Sequence, residues 1–207
     1  MFKDRKDAGI KLADALQAYK DSGALVLAIP RGGVEIGYEI ARALHTDFSL
    51  LICRKLPFPD DPESGFGAMA EDGSLYVNEM AALYVTDAER KQIVEEQTEE
   101  IKRRIETLRE GEALPPIKGR TVILTDDGIA MGSTMHVAVE LCRKQEAAKI
   151  VVAVPVAGEK SVRTFSGMAD ELVVLESPVP FYAVAQVYAH WCDVSDEEVM
   201  EIMKRPR

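Results

Sequence analysis

Short, solid apolar runs alternate along this chain with stretches whose apolar residues recur three and four positions apart. The runs are Ala24–Ile29 (ALVLAI), Phe48–Cys53 (FSLLIC), Thr121–Thr125 (TVILT), Lys149–Val154 (KIVVAV) and Glu171–Leu175 (ELVVL). Continuous apolar character over so few residues is what a strand covered on both faces requires. Helical spacing fills the gaps. Residues 3–20 place Ile10, Leu12, Leu16 and Tyr19 toward a core, and Val34–Leu44 does the same with Ile36, Ile40 and Leu44. Thr86 and Glu89 form a T-x-x-E capping box that opens a helix to about Leu108, with Ile93, Ile101, Ile105 and Leu108 as its apolar stripe. Glu99–Arg103 and Glu100–Arg104 pair at i,i+4 on its solvated side. A helix after Thr134 carries Val137, Val139, Leu141 and Cys142, and a second capping box at Ser195–Glu198 opens a short helix with Val199, Ile202 and Met203.

This alternation predicts an α/β fold, a parallel sheet flanked by helices. Strand ends at Pro30, Arg54, Asp126 and Pro155 are expected along one sheet edge, the edge where open α/β sheets bind ligands. One stretch breaks the pattern. LPFPDDPESGFGAMAEDGS, residues 56–74, is dense in Pro, Gly and Asp and reads as a loop, with a hairpin of Phe66–Met69 against Leu75–Val77. Connections of that length inside a domain are usually functional or disordered. The expectation is one domain over residues 1–207, with 56–80 as a flexible loop or hairpin insertion and 176–207 as a C-terminal extension.

Composition narrows the function classes. With 207 residues and 47% hydrophobic content the chain can build one ample core. A net charge of −10 disfavours nucleic acid or an anionic membrane as partner, though not a small polyanion held by local cations. Cys53, Cys142 and Cys192 are odd in number and far apart, with no C-x-x-C pair, so neither a disulfide framework nor a thiolate zinc site is expected. The mixed-charge N-terminus does not read as a signal peptide and no apolar run approaches the ~20 residues of a membrane span, so a cytoplasmic setting is the expectation.

The chemistry concentrates in Val122–Thr134 (VILTDDGIAMGST). A buried strand delivers Asp126 and Asp127 to its carboxyl end. Ala130, Met131, Gly132, Ser133 and Thr134 then offer backbone N–H groups and two hydroxyls at a helix N-terminus, an anion site by construction. Carboxylates beside a phosphate cradle suit a ligand bearing both hydroxyls and a phosphate, such as a sugar phosphate.

These residues resemble the type I phosphoribosyltransferase family, whose signature is a short apolar run, two acids, a small-residue loop and a Thr or Ser. The likeness extends from about Ala24 to Leu175. It is closest to a subgroup in which a Pro-Arg-Gly-Gly loop, a G-A-x-A-E-D-G segment and a D-D-G-x-A-x-G-x-T motif recur, here Pro30–Gly33, Gly67–Gly73 and Asp126–Thr134. The resemblance implies displacement of pyrophosphate from C1 of phosphoribosyl pyrophosphate (PRPP) by a nitrogen nucleophile, with Mg²⁺ as cofactor. It implies that Asp126 and Asp127 hold the ribose hydroxyls directly or through the metal, and that Ala130–Thr134 wrap the 5′-phosphate. Arg31, Gly32 and Gly33 would grip the pyrophosphate, with a non-proline cis peptide near Arg31. Arg54 and Lys55 would face the same leaving group. Arg31, Lys55, Asp126 and Asp127 are therefore the expected catalytic residues, and a homodimer the expected assembly. The stretch from Leu56 to Asn78 would act as the family's closing loop. Glu71 and Asp72 within it either bind metal or the nucleophile or simply face solvent.

Departures from the family pattern matter as much. Thr125 stands where an apolar residue is usual. Met131 replaces a Thr of the phosphate loop, and Ala130 replaces the general-base Asp of 6-oxopurine enzymes. His136 reads as a helix-turn bystander more readily than an acid–base group. The cluster His190, Trp191 and Cys192 reads as packing, and Phe181 and Tyr182 as core more readily than as a base-stacking platform. Two functions stand side by side: a phosphoribosyltransferase acting on a nitrogenous acceptor, and a non-catalytic PRPP- or nucleotide-binding regulator. A sugar-phosphate-binding domain that has drifted from PRPP is a weaker third.

Overall fold

The computed structural model describes residues 1–206, the Glu63 side chain excepted. Five parallel strands form the central sheet: β1 (Leu25–Ala28), β2 (Asp47–Leu50), β6 (Thr121–Thr125), β7 (Lys149–Val156) and β8 (Glu171–Glu176), in the order β2-β1-β6-β7-β8. Every residue of β1 is buried, as its unbroken apolar run requires. Helices α1 (Arg5–Ala15), α2 (Gly33–Leu44), α4 (Asp87–Arg109) and α7 (Asp196–Met203) enclose a core on one face with Val26, Ala28, Ile36, Ile40 and Leu50. On the other face α5 (Ser133–Lys144) and α6 (Glu159–Met168) cover Leu25, Leu27, Leu124 and Val152. The alternation of β1 residues between these two cores is the two-residue period of a strand made visible.

The predicted elements shift in four places. The first helix ends at Ala15, and Gln17–Tyr19 continues as a single 3₁₀ turn. The run Phe48–Cys53 is not one strand. β2 stops at Leu50, and Cys53 opens β3 (Cys53–Phe58) of a separate antiparallel sheet with β4 (Asp61–Ala70) and β5 (Leu75–Val77). Arg54 therefore lies in that second sheet and not at the end of a parallel strand. β7 likewise runs past Pro155 to Val156. The Pro- and Gly-rich stretch thus takes its hairpin form, pairing Gly67 with Val77, Ala68 with Tyr76 and Met69 with Leu75. A short helix α3 (Glu79–Ala82), capped by Asn78, comes next. Both capping boxes form as read, at Thr86–Glu89 and Ser195–Glu198.

Candidate ligand site

β6 lies between β1 and β7, so the loop leaving β6 meets the loops leaving both neighbours. The amide of Ile29 donates to the Thr125 carbonyl at 2.9 Å, which seats the Pro30–Gly33 turn against the acid pair. Contact there is close enough to exclude any side chain. A Cβ on Gly32 would fall 1.9 Å from Asp127 Oδ2, and one on Gly33 would fall 2.8 Å from Asp126 Cα. The Pro30–Arg31 peptide is cis, as the resemblance implied.

The two acids have different surroundings. Asp126 accepts the Asp127 amide at 2.8 Å through Oδ1. Burial, and then the neighbouring Asp127 charge, push its carboxyl well above the ordinary range. Burial also raises Asp127, but Arg5 opposes the shift. Arg5 reaches Asp127 Oδ2 with Nε at 2.9 Å and Nη2 at 2.8 Å. The same guanidinium donates to the Cys192 carbonyl at 2.8 Å and stacks 3.9 Å over the Trp191 ring. Tyr188 donates its hydroxyl to the Asp127 carbonyl at 2.7 Å.

The phosphate-loop candidate, residues 128–134, is shaped by its glycines. Gly128 packs where a Cβ would strike Val156 and Val184, and Gly132 turns at φ +80° against Phe165 before α5 begins. The Ile129 amide donates to the Val156 carbonyl at 2.9 Å and Ser161 Oγ to the Ala130 carbonyl at 3.1 Å, so the loop is tied to β7 and α6. A cavity of about 520 Å³ opens in front of it, a volume suited to a small-molecule ligand. Asp126, Lys55 and Ala130 through Thr134 all line this cavity, and Phe58 and Val184 close it.

The remaining predicted residues lie around the cavity and not on its wall. Arg31 points toward Asp196, 3.6 Å away, and Arg54 donates Nε to Gln97 at 3.0 Å on the α4 side of β3. Gly32, Gly33 and Asp127 lie behind Asp126 and are in contact with it or with each other. Glu71 and Asp72 serve the scaffold. Glu71 forms a buried ion pair with Arg109 at 2.5 Å, and Asp72 pairs with Lys144 at 2.9 Å. His136 stacks on Tyr76 with 3.9 Å between ring centres, and burial lowers its pKa. Phe181 packs against Gly158, whereas Tyr182 is exposed.

Sequence reading missed Arg5 and Tyr188. Nothing in local pattern links Arg5 to an acid 122 positions away. A larger cavity of about 710 Å³ between α1, α2 and α7 carries none of the predicted ligand residues, and the charges facing it are largely paired, Glu35 with Arg205 and Glu39 with Arg42. The smaller cavity brings together an acid, a cation and the loop at the start of α5.

Comparison with known proteins agrees with this fold. A family model described as the phosphoribosyl transferase domain matches residues 5–186. Proteins of two Mycobacterium tuberculosis strains, each named "Putative phosphoribosyl transferase", are 38% identical over 99% of this chain and 47% of their own length. The chain thus spans about half the length of those curated relatives. The solved structure of TT1426 from Thermus thermophilus superposes with a TM-score of 0.81 at 34% identity, covering 98% of this chain and 97% of that one. The AQ2163 protein of Aquifex aeolicus, at 14% identity and a TM-score of 0.52, covering 83% of this chain and 73% of its own, shares the fold. With a family model matched over residues 5–186 and a parallel five-stranded sheet, this chain belongs to the phosphoribosyl transferase domain family.

Proposed function

We propose that the protein is a PRPP-dependent phosphoribosyltransferase that passes the 5-phosphoribosyl group to a small nitrogenous acceptor and releases pyrophosphate. The observation that carries this reading is the cavity in which Asp126, Lys55 and the loop Ala130–Thr134 face one another. Backbone N–H groups and the Ser133 and Thr134 hydroxyls would take the 5′-phosphate at the start of α5. A carboxylate accepts hydroxyl protons well, so the ribose would lie over Asp126. Lys55 would meet charge developing on the leaving pyrophosphate, with Arg31 and Arg54 behind it, and the amide of Gly32 would complete that end. The Gly33 amide already donates to the Ile29 carbonyl at 3.1 Å, so Gly33 would serve by its close approach alone.

Of the two acids only Asp127 is gripped by the Arg5 guanidinium, and burial pushes the Asp126 carboxyl upward. An acid on the cavity wall with no cation bonded to it among the described residues suits a divalent cation arriving with PRPP. Asp126, with Asp127 behind it, would hold Mg²⁺ largely through water and PRPP oxygens, as this ion prefers. Among the described residues no group of three potential ligands forms an all-protein site. When bound, the ion would neutralise charge on the departing pyrophosphate. Closure of the β3–β5 sheet over the ligand would keep water from the electron-poor C1. A homodimer is part of the same proposal. So is a cytoplasmic setting; among the described residues no helix is long and apolar enough to cross a membrane.

A second reading, a PRPP-binding regulator, draws on one observation. The loop carries Ala130 in place of an acid and directs Met131 into solvent with 83% of its surface exposed. No carboxylate in the loop can therefore take a proton from the acceptor. Incubation with PRPP, Mg²⁺ and a panel of nucleobases and amines, with pyrophosphate release as readout, separates the two. Release with one acceptor supports the enzyme, and saturable PRPP binding without release supports the regulator. Failure of both PRPP and ribose 5-phosphate to raise the melting temperature would sink the ligand assignment itself.

A further inference from the structure

The two adjacent acids are not equivalent. Asp126 lines the cavity, whereas Asp127 does not. Asp127 instead gathers three separate segments around its carboxylate and carbonyl. Arg5 of α1 occupies Oδ2 from two nitrogens. The backbone of Gly32 lies against the same oxygen so tightly that a Cβ would fall 1.9 Å from it. Tyr188, from the C-terminal extension, takes the main-chain carbonyl. Both charged side chains are well shielded, with exposures of 11% for Arg5 and 16% for Asp127.

The cation is itself held from behind. Trp191 covers one face of the guanidinium, and the Cys192 carbonyl accepts from Nη1. Residues just before Arg5 are bonded into the same extension. Phe2 donates to the Val187 carbonyl at 2.6 Å and accepts from Ala189 at 2.8 Å, and Lys3 accepts from His190 at 2.9 Å. Phe2 and Tyr188 rings pack 5.5 Å apart. The chain's first residues and residues 187–192 thus form one unit whose contact with the acid pair is the Arg5–Asp127 ion pair, joined by the Tyr188 hydrogen bond.

We infer that Arg5 is a positioning residue: through Asp127 it fixes the Gly32 turn, and it leaves Asp126 as the acid that meets the ribose. This inference rests on the phosphoribosyl reading of the site and divides the labour within it. PRPP and ribose 5-phosphate share the ribose and the 5′-phosphate and differ only in the pyrophosphate. A residue that acts through the Pro30–Gly33 turn must therefore affect the first ligand more than the second. Loss of general folding would weaken both alike.

The experiment is titration calorimetry of the full chain with each ligand, with and without Mg²⁺, on the wild type and on variants at Arg5, Asp126 and Asp127. Arg5→Met is expected to weaken PRPP by about tenfold or more, worth about 1.4 kcal/mol, while ribose 5-phosphate stays within about twofold. Asp127→Asn should follow Arg5→Met, and Asp126→Asn should weaken both ligands, by a like factor where Mg²⁺ is left out. Arg5→Lys, which keeps a charge but loses the two-nitrogen grip, should recover part of the PRPP affinity. Because Arg5→Met leaves a buried carboxylate without its partner, the double variant Arg5→Met/Asp127→Asn removes both charges together. It should regain melting temperature and still show the PRPP-selective loss, a non-additive outcome expected of residues in direct contact. If Asp127→Asn weakens ribose 5-phosphate as much as Asp126→Asn does, Asp127 is a ribose ligand and the inference is wrong. An Arg5→Met variant that binds both ligands as the wild type does overturns it equally. Absence of wild-type binding to either ligand overturns the phosphoribosyl reading beneath it.

Discussion

Two glycine-bearing loops flank the acid pair, and they are held in opposite ways. The Pro30–Gly33 turn is wedged: a Cβ on Gly32 would collide with the Asp127 carboxylate and one on Gly33 with the Asp126 backbone, so the turn is shaped by the acids behind it. The 128–134 loop is tethered at its base to β7 and α6, and its far side fronts a cavity of about 520 Å³. Glycine serves close approach in the first loop and a left-handed backbone in the second. The difference teaches that one G-rich loop can be a packing element while its neighbour fronts an open cavity, although both read as turns at strand ends.

The largest expected effect breaks the wedge. Gly33→Ala places its new methyl 2.8 Å from Asp126 Cα and 2.9 Å from the Thr125 carbonyl, both backbone atoms that cannot rotate aside. Overpacking of this kind costs about 1–3 kcal/mol, and the upper end is expected here. Chemical denaturation should show the midpoint falling with little change in slope. An unchanged midpoint would mean that the turn yields freely and is not wedged.

Gly132→Ala tests the other loop and should cost less, about 1–2 kcal/mol, the usual penalty for a Cβ at positive φ. The added methyl would meet Phe165 side-chain atoms at 2.9 Å, and a ring edge can shift more readily than a backbone. Ligand binding should suffer beyond stability, because the N–H groups that start α5 would be re-aimed. A variant that loses stability but binds ribose 5-phosphate as before would place the phosphate elsewhere.

How far the sequence could be read depends on the range of the forces involved. β1, β6 and β7 announced themselves because a strand buried on both faces must be apolar throughout, a local rule. The acid pair and the loop after it stood out as a candidate site for a similar reason, being contiguous at Asp126–Thr134. The break between β2 and β3 was hidden, since Leu51 and Ile52 are fully buried and continue the apolar run while the backbone leaves one sheet for another. Pairing in the β3–β5 sheet was only half visible. Its strands carry Pro57, Pro62, Gly65 and Gly67, residues that argue against strand in isolation. The Arg5–Asp127 pair was invisible because it joins positions 122 apart through tertiary packing alone.

A smaller effect sharpens the contrast at α5, the helix behind the phosphate loop. His136 has its pKa lowered by burial, with the Glu140 carboxylate 3.5 Å away acting against the shift. The folded state therefore holds the neutral ring below the pH at which the unfolded chain takes up a proton. Stability from this group is complete above the unfolded value of about 6.5 and falls as pH drops below it. Thermal melts from about pH 7.5 to about pH 5.5, a window spanning that value, should show the loss in the wild type. Less of it is expected in His136→Phe, which keeps the stack on Tyr76. An identical pH profile in both proteins would rule His136 out as the source.

The smallest change in stability, and the most informative about the cradle, is expected at Met131. Its side chain is 83% exposed, so Met131→Thr should leave stability within about 0.5 kcal/mol, as surface substitutions do. Its position decides the effect on ligand. It lies on the cavity wall between Ala130 and Gly132, where a hydroxyl would add a donor for the phosphate that the proposed function seats on the backbone N–H groups. A hydrogen bond to a charged group is worth about 1.5–3 kcal/mol at its best, and an exposed one less. Ribose 5-phosphate should therefore bind several-fold tighter, and PRPP by the same factor, because the two share the 5′-phosphate. The equal factor is the sharp part of the prediction. Gain for PRPP alone would place Met131 at the pyrophosphate end. The two loops would then have exchanged roles, with the open cradle holding the leaving group and the wedged turn left without a ligand.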